Sequence, residues 1–269
     1  MNIVCVGDCG VDHYLPSDEM LFGGITANFA RHARQQFRPD DVVQIISAVG
    51  DDHGADLVLD SLKDSGIDCH ISKLEGATPV QYISVQPDGE RKFVRYDAGV
   101  LSDFQIGDKG KEIIQTADLM VAPVYLQIVG LFDELMSIET SGLTSIDFAD
   151  FLQHPDFELL EKYIARIDIG FFGLSVNDTD TISRIEELAH EHSKLFVVTL
   201  GADGSRAFLG DTRFDCPAIK VDEIIDTTGA GDAFAAGFLS QYCYGGNVLE
   251  SLESGATLAA TIVQRHGAF

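Results

Sequence analysis

At 269 residues the chain can bury a substantial core, and its length suits one large α/β unit with a smaller appendage. A composition of 45% hydrophobic and 9% aromatic residues, with no apolar run long enough to cross a bilayer, excludes a membrane-spanning helix. The formal charge of −25 repels nucleic-acid phosphates and anionic membrane surfaces alike, so neither is an expected partner, and any anionic ligand has to be met by local backbone donors and a metal ion. A salt-adapted host is one source of such acidity.

In chain order, Met1-Asn2-Ile3-Val4-Cys5-Val6-Gly7 passes directly into Asp8 and reads as a first strand rather than a leader, which predicts a cytoplasmic protein. Further strand-like runs fall at 42–49, 119–123, 144–146, 167–174 and 195–199. They alternate with helical stretches at 25–36, 54–65, 156–164 and 179–190, and a last helix is predicted at 255–264. That alternation predicts a mostly parallel sheet flanked by helices. Segments 78–86 and 91–97 break it: both are extended and joined by Pro87-Asp88-Gly89-Glu90, whose Asp-Gly pair favours a tight turn. This insertion, about 76–100, reads as a small β-lid on a single domain of 1–269, or as an ordinary edge hairpin. The five cysteines, Cys5, Cys9, Cys69, Cys216 and Cys243, are scattered without a CxxC pair, so reduced thiols are expected.

The sharpest motif is Asp226-Thr227-Thr228-Gly229-Ala230-Gly231-Asp232, a glycine-rich turn opening a small, apolar helix. Glycines let successive N–H groups converge, and the first helical turn adds unpaired donors and a positive dipole end, so the site suits an anion such as a phosphoryl group. The same dipole favours the carboxylate form of Asp232, which can accept a hydroxyl proton. A helix cap after a loop is the alternative. No GxxxxGK[ST] loop and no HExxH spacing occurs, which disfavours a P-loop kinase and a catalytic zinc site.

This loop resembles the C-terminal signature of the ribokinase (PfkB) family. The resemblance implies a three-layer αβα sandwich with a mostly parallel central sheet and a small β-lid. It also implies ATP as co-substrate, Mg2+ on the phosphates, Asp232 as catalytic base, Gly229, Ala230 and Gly231 as the anion hole, and Thr228 beside the nucleotide phosphates. Phe22-Gly23-Gly24-Ile25-Thr26-Ala27-Asn28-Phe29-Ala30 resembles the family's other signature. Gly23 and Gly24 would let a sugar lie against the backbone, and Asn28 offers it a donor and an acceptor. Asp12 matches the family aspartate that accepts from two sugar hydroxyls, with Asp8 as a neighbouring competitor. Thr199-Leu200-Gly201-Ala202-Asp203-Gly204 resembles the nucleotide loop, in which Thr199, Gly201 and Gly204 lie close to ATP, and the last helix would close over the adenine.

One departure is Asn177-Asp178-Thr179-Asp180, where the family has Asn-x-x-Glu to organise magnesium through water. Asp180 keeps the charge on a shorter side chain, and a helix cap at Asn177 is the competing reading. Asp226 would help to order a monovalent cation, potassium by the resemblance. Within the family, Tyr96-Asp97-Ala98-Gly99-Val100-Leu101-Ser102-Asp103-Phe104, Asp147-Phe148-Ala149-Asp150 and the ending His266-Gly267-Ala268-Phe269 look like the fructoselysine 6-kinase subgroup. That implies phosphorylation of a sugar or sugar-amine hydroxyl, fructoselysine to fructoselysine 6-phosphate, with Arg91, Arg95, Glu90 and Asp97 available to meet the substrate's charges. Another sugar, a sugar acid or a nucleoside is the alternative substrate, and a non-catalytic sugar or nucleotide sensor the alternative class. A homodimer through the lid is a further implication.

Overall fold

The computed structural model of the protein describes residues 1–15, 17–86, 91–149 and 151–269, so the predicted turn at 87–90 and Asp150 lie outside the described residues. The chain runs β1 (Asn2–Val6), β2 (Gly10–Leu15), β3 (Glu19–Gly23), α1 (Ile25–Gln36), β4 (Val42–Val49), α2 (His53–Leu62) and β5 (Asp68–Lys73). It continues with β6 (Val80–Val85), β7 (Arg91–Asp97), α3 (Asp108–Gln115), β8 (Leu119–Val124), α4 (Val129–Leu135), β9 (Leu143–Phe148) and α5 (Phe157–Tyr163). The last third is β10 (Ile169–Gly173), α6 (Thr179–His192), β11 (Leu195–Thr199), β12 (Ser205–Leu209), β13 (Thr212–Cys216), α7 (Ala230–Cys243) and α8 (Val248–Ile262).

Among the described residues these strands form a nine-stranded sheet, β13-β12-β11-β10-β9-β8-β1-β4-β5, and a four-stranded one, β3-β2-β6-β7. From β11 to β5 every pairing in the large sheet is parallel, while β12 and β13 add an antiparallel edge. A parallel sheet needs cover on both faces, and side chains alternate accordingly. In β1, Ile3 and Cys5 join one apolar core with α1, α2, α7 and α8, whereas Val4 and Val6 join the other with α3, α4, α5 and α6. These are the three layers of the αβα sandwich. Each fully buried aliphatic side chain in such cores contributes ~1.5–3 kcal/mol.

Local chemistry sets the helix starts. Asp52 accepts from the Ala55 amide at 3.0 Å to begin α2. Asn247 and Glu250 form a reciprocal capping box, so α8 starts at Val248, seven residues ahead of the predicted 255. The small sheet is larger than the hairpin read from the sequence. β6 and β7 are antiparallel as expected, but β6 also pairs in parallel with β2, and β2 carries β3. The short segment 10–23 mixes Asp, His and Pro, which hides its period-two pattern. No helix among the described residues is long and apolar enough to cross a membrane.

Candidate active site

The small sheet meets the C-terminal ends of the parallel strands, where open α/β sheets bind ligands. A cavity of about 570 Å³ lies between them. From the large sheet it is bounded by Asp8 beyond β1, Tyr125 beyond β8, Asp147 in β9, Gly173 in β10 and Thr199 ending β11; from the small sheet by Asp12, Gln81 and Arg95. Helices α1 and α7 add Asn28, Gly231 and Asp232. Of the predicted site residues, the fold thus brings together Asp12, Gly24, Asn28, Thr199, Thr228, Gly231 and Asp232 around one space.

Asp232 is in the first turn of α7 and is buried. The Asn28 amide of α1 donates to its Oδ2 at 2.8 Å, joining two side chains that are 204 residues apart. The Asn28 Oδ1 is buried and has no hydrogen-bond partner. An unpaired buried acceptor costs about 1–3 kcal/mol.

Gly229 precedes α7 with φ 75, in the left-handed region, and a Cβ there would lie 2.5 Å from the Ala268 Cβ. Only glycine satisfies both conditions. Behind the turn, Asp226 is fully buried. Its Oδ1 accepts from the Thr228 amide at 2.8 Å and hydroxyl at 2.6 Å; its Oδ2 accepts from the Tyr14 hydroxyl and the Gly267 amide, both at 2.9 Å. The His266 Nδ1 lies 3.3 Å from the same Oδ2. Burial alone would raise this carboxyl, but the Thr228, Gly267 and Tyr14 bonds outweigh it and hold Asp226 below the usual carboxylate range. Asp226 is therefore a loop anchor with its oxygens already engaged.

At the other end, the Asp12 carboxylate lies directly over Gly23, where an added Cβ would sit 2.3 Å from the Asp12 Cγ. Gly23 is thus required for the placing of Asp12 rather than by contact with the cavity. The two candidate aspartates divide their work. Asp8 spends its carboxylate on the start of α1, accepting from the Ile25 amide at 3.0 Å and from the Thr26 amide and hydroxyl, each at 3.1 Å. Burial pushes its carboxyl up, against the lowering pull of the Thr26 and Ile25 donors. Asp12, on β2, faces the cavity from the small sheet.

Other predicted residues stand outside this cavity lining. Gly201 and Gly204 form the turn after β11, and Ala230 begins α7. Asp180 is exposed in the first turn of α6; the local cap there is Asp178, which accepts from the Ser175 amide at 2.7 Å. Of the charged hairpin candidates, Arg95 reaches the cavity with its guanidinium over the Tyr82 ring, Asp97 accepts from the Gly99 amide at 3.1 Å, and Glu90 lies outside the described residues.

Four contributors were given no role by the sequence reading. Tyr14 shares a strand face with Asp12, a period-two signal that identification of β2 would have exposed. Tyr96 and Tyr125 join the two sheets through hydroxyls 2.8 Å apart, and burial, followed by the nearby Asp8 carboxylate, holds both phenols well above their ordinary range. Asp147, quoted only for a likeness, is the last residue but one of β9 and lines the cavity.

The pfkB family carbohydrate kinase domain matches residues 1–126 and 149–269. A fructosamine kinase of Bacillus subtilis (strain 168) is 28% identical over all of this chain and 93% of its own length. A fructoselysine 6-kinase of Escherichia coli (strain K12) is also 28% identical, over all of this chain and 99% of its own. A 2-dehydro-3-deoxygluconokinase of Dickeya dadantii (strain 3937) is 26% identical over 99% of this chain and 96% of its own. Among solved structures, a Methanocaldococcus jannaschii nucleoside kinase of the ribokinase family superposes with a TM-score of 0.81 at 22% identity, over 99% of this chain and 93% of its own. With the family's domain matched across nearly the whole chain, the protein belongs to the pfkB family of carbohydrate kinases and is an ATP-dependent sugar kinase.

Proposed function

We propose that the enzyme transfers the ATP γ-phosphate to the primary hydroxyl of a fructosamine, converting fructoselysine to fructoselysine 6-phosphate. The observation that carries this reading is the sign of the cavity. Among the described residues, four carboxylates, Asp8, Asp12, Asp147 and Asp232, line it against one arginine, Arg95. Such a wall favours a sugar bearing a cationic amine and disfavours a sugar acid, whose carboxylate would face like charges. The full-length likeness to a fructosamine kinase and a fructoselysine 6-kinase supports the same choice.

In this reading Asp232 takes the proton of the attacking hydroxyl, while the N–H groups of Gly229, Ala230 and Gly231 and the positive end of α7 stabilise charge on the transferred phosphoryl. Asp12 and Asn28 hold sugar hydroxyls, with Gly24 giving close backbone access and Gly23 making room for the Asp12 carboxylate. Thr199, Gly201, Gly204 and Thr228 border the nucleotide. Magnesium suits a site with few protein carboxylates plus phosphate oxygens, and when bound it neutralises phosphate charge. Asp180 would have to reach it through water from the start of α6. Asp226, engaged by Thr228, Tyr14 and Gly267, orders the anion site from behind, and any potassium would meet the loop backbone rather than this carboxylate. The acidic surface leaves nucleic acid outside the expected partners, a cytoplasmic location fits the chemistry, and a pairing of small sheets would account for the exposed Phe93 and Val94 on β7.

The test is ADP release from Mg-ATP with fructoselysine, fructose, ribose, adenosine and 2-keto-3-deoxygluconate, with and without potassium. Selective turnover of fructoselysine is expected. Preference for the sugar acid would overturn the charge argument while leaving the kinase assignment intact.

A further inference from the structure

We propose that Tyr14 is a positioning residue that sets the phosphoryl turn against the sugar: through Asp226 and Thr228 its hydroxyl holds the 226–232 loop at a fixed spacing from Asp12 on the same strand, with Glu19 and His266 as a second tie. The inference rests on the proposed roles of Asp12 and of the Gly229–Gly231 turn.

Asp12 and Tyr14 are two residues apart on β2, so their side chains share one face and stand about 6.5–7 Å apart along the strand. Asp12 lines the cavity, whereas Tyr14 is buried and spends its hydroxyl on the loop. Its one phenolic proton meets Asp226 Oδ2 at 2.9 Å, and Thr228 Oγ1 lies 3.2 Å from the same phenolic oxygen. Burial above all, joined by the Asp226 and Asp12 carboxylates, pushes the Tyr14 phenol above its ordinary range against the Thr228 contact, so the hydroxyl is a donor. Asp226 passes the grip on: its Oδ1 takes the amide and hydroxyl of Thr228, the residue that leads directly into Gly229.

The second tie starts beside the first. Glu19 on β3 is the register partner of Tyr14. Its Oε2 lies 3.1 Å from His266 Nε2; the His266 Nδ1 lies 3.3 Å from Asp226 Oδ2, and the His266 ring centroid 4.5 Å from that of Tyr14. One cross-strand pair of the small sheet thus reaches Asp226 by two routes. A phenylalanine would fill the same buried space; what the tyrosine adds is the hydroxyl and its bond to the loop. Transfer needs the attacking oxygen and the phosphorus brought to about 3–3.5 Å in line, and a misplacement of about 1 Å costs on the order of 10²-fold. The spacing between the sugar strand and the phosphoryl turn therefore acts on turnover more than on affinity.

The experiment compares wild type, Tyr14→Phe, Glu19→Ala and Asp12→Asn with the best sugar of the panel, recording kcat and both KM values at two temperatures well below the melting point, and thermal melting for each. Tyr14→Phe is expected to lower kcat about tenfold or more at both temperatures, with the sugar KM within about twofold of wild type. Glu19→Ala, at an exposed position, tests the same link without touching the buried ring and should lower kcat about two- to threefold. An unchanged kcat in both variants overturns the proposal. So does a Tyr14→Phe loss that vanishes at the lower temperature alongside a lowered melting point, which would make the hydroxyl a stability device alone, or a raised sugar KM with kcat unchanged. Asp12→Asn should raise the sugar KM about tenfold; a normal sugar KM there would instead overturn the sugar role on which the proposal rests.

Discussion

Asp226 is fully buried with both carboxylate oxygens engaged by Thr228, Tyr14 and Gly267, whereas Asp232, one loop later, stands in the cavity wall under the grip of Asn28. The two carboxylates belong to one motif and have the same chemistry. Their surroundings tie one into the scaffold and set the other in the cavity wall. A carboxylate encircled by backbone and hydroxyl donors stabilises the fold through those donors, while one at the head of a helix and open to a cavity can exchange a proton with a ligand. In this loop surroundings, rather than residue type, separate the two carboxylates.

The contrast can be broken at its largest effect with Asp232→Asn, expected to lower turnover by about 10²–10⁴-fold with melting temperature and sugar binding close to wild type. Calorimetry beside steady-state kinetics checks both halves. Asp226→Asn should behave in the opposite sense. Its single carbonyl oxygen can serve only one side, so its NH2 faces either the two donors of Thr228 or those of Tyr14 and Gly267. The change should cost roughly 3–5 kcal/mol of unfolding free energy, measured by urea denaturation, with activity lost as the turn loosens.

A smaller effect sharpens the comparison through His32, one turn beyond Asn28. Burial lowers its pKa to about 4, against the raising pull of the Ala268 carbonyl it meets at 2.9 Å. The unfolded imidazole titrates near 6.5, so between about 6.5 and 4 the unfolded chain binds more protons, and stability falls as pH falls through that window. The loss is on the order of 3 kcal/mol, fully developed below pH ~4. Urea midpoints at pH 7 and pH 5 for wild type and His32→Gln measure it; equal slopes in the two proteins would remove His32 as the cause.

Much of the large sheet is legible in the sequence because its strands are buried on both faces and read as apolar runs, as in Val42–Val49 and Leu195–Thr199. The 226–232 loop is legible because its glycines are packed into seven residues ahead of an unbroken apolar helix. The hairpin β2–β3 is not, since its parallel partner β6 is supplied by tertiary structure 60 to 70 residues away. The start of α8 was hidden for a different reason: its signal is a polar capping box rather than apolar periodicity. The Asn28–Asp232 bond, across 204 residues, has no local signal at all. The likeness supplied both residues, but only the packing of α1 beside α7 shows that they touch.

The division between the two sheets has an evolutionary consequence. Asp12, Gln81 and Arg95 approach the cavity from β2, β6 and β7, whereas Asp232 and its anion turn are built on α7, far along the chain. On the proposed roles, substitutions at Gln81 and Arg95 would retune which molecule is accepted, whereas Asn28 and Tyr14, equally early in the chain, are tied to Asp232 and Asp226 and are not free to vary with them. A lineage built this way would change its diet by drifting in the β6–β7 hairpin while selection holds the rest of the site still.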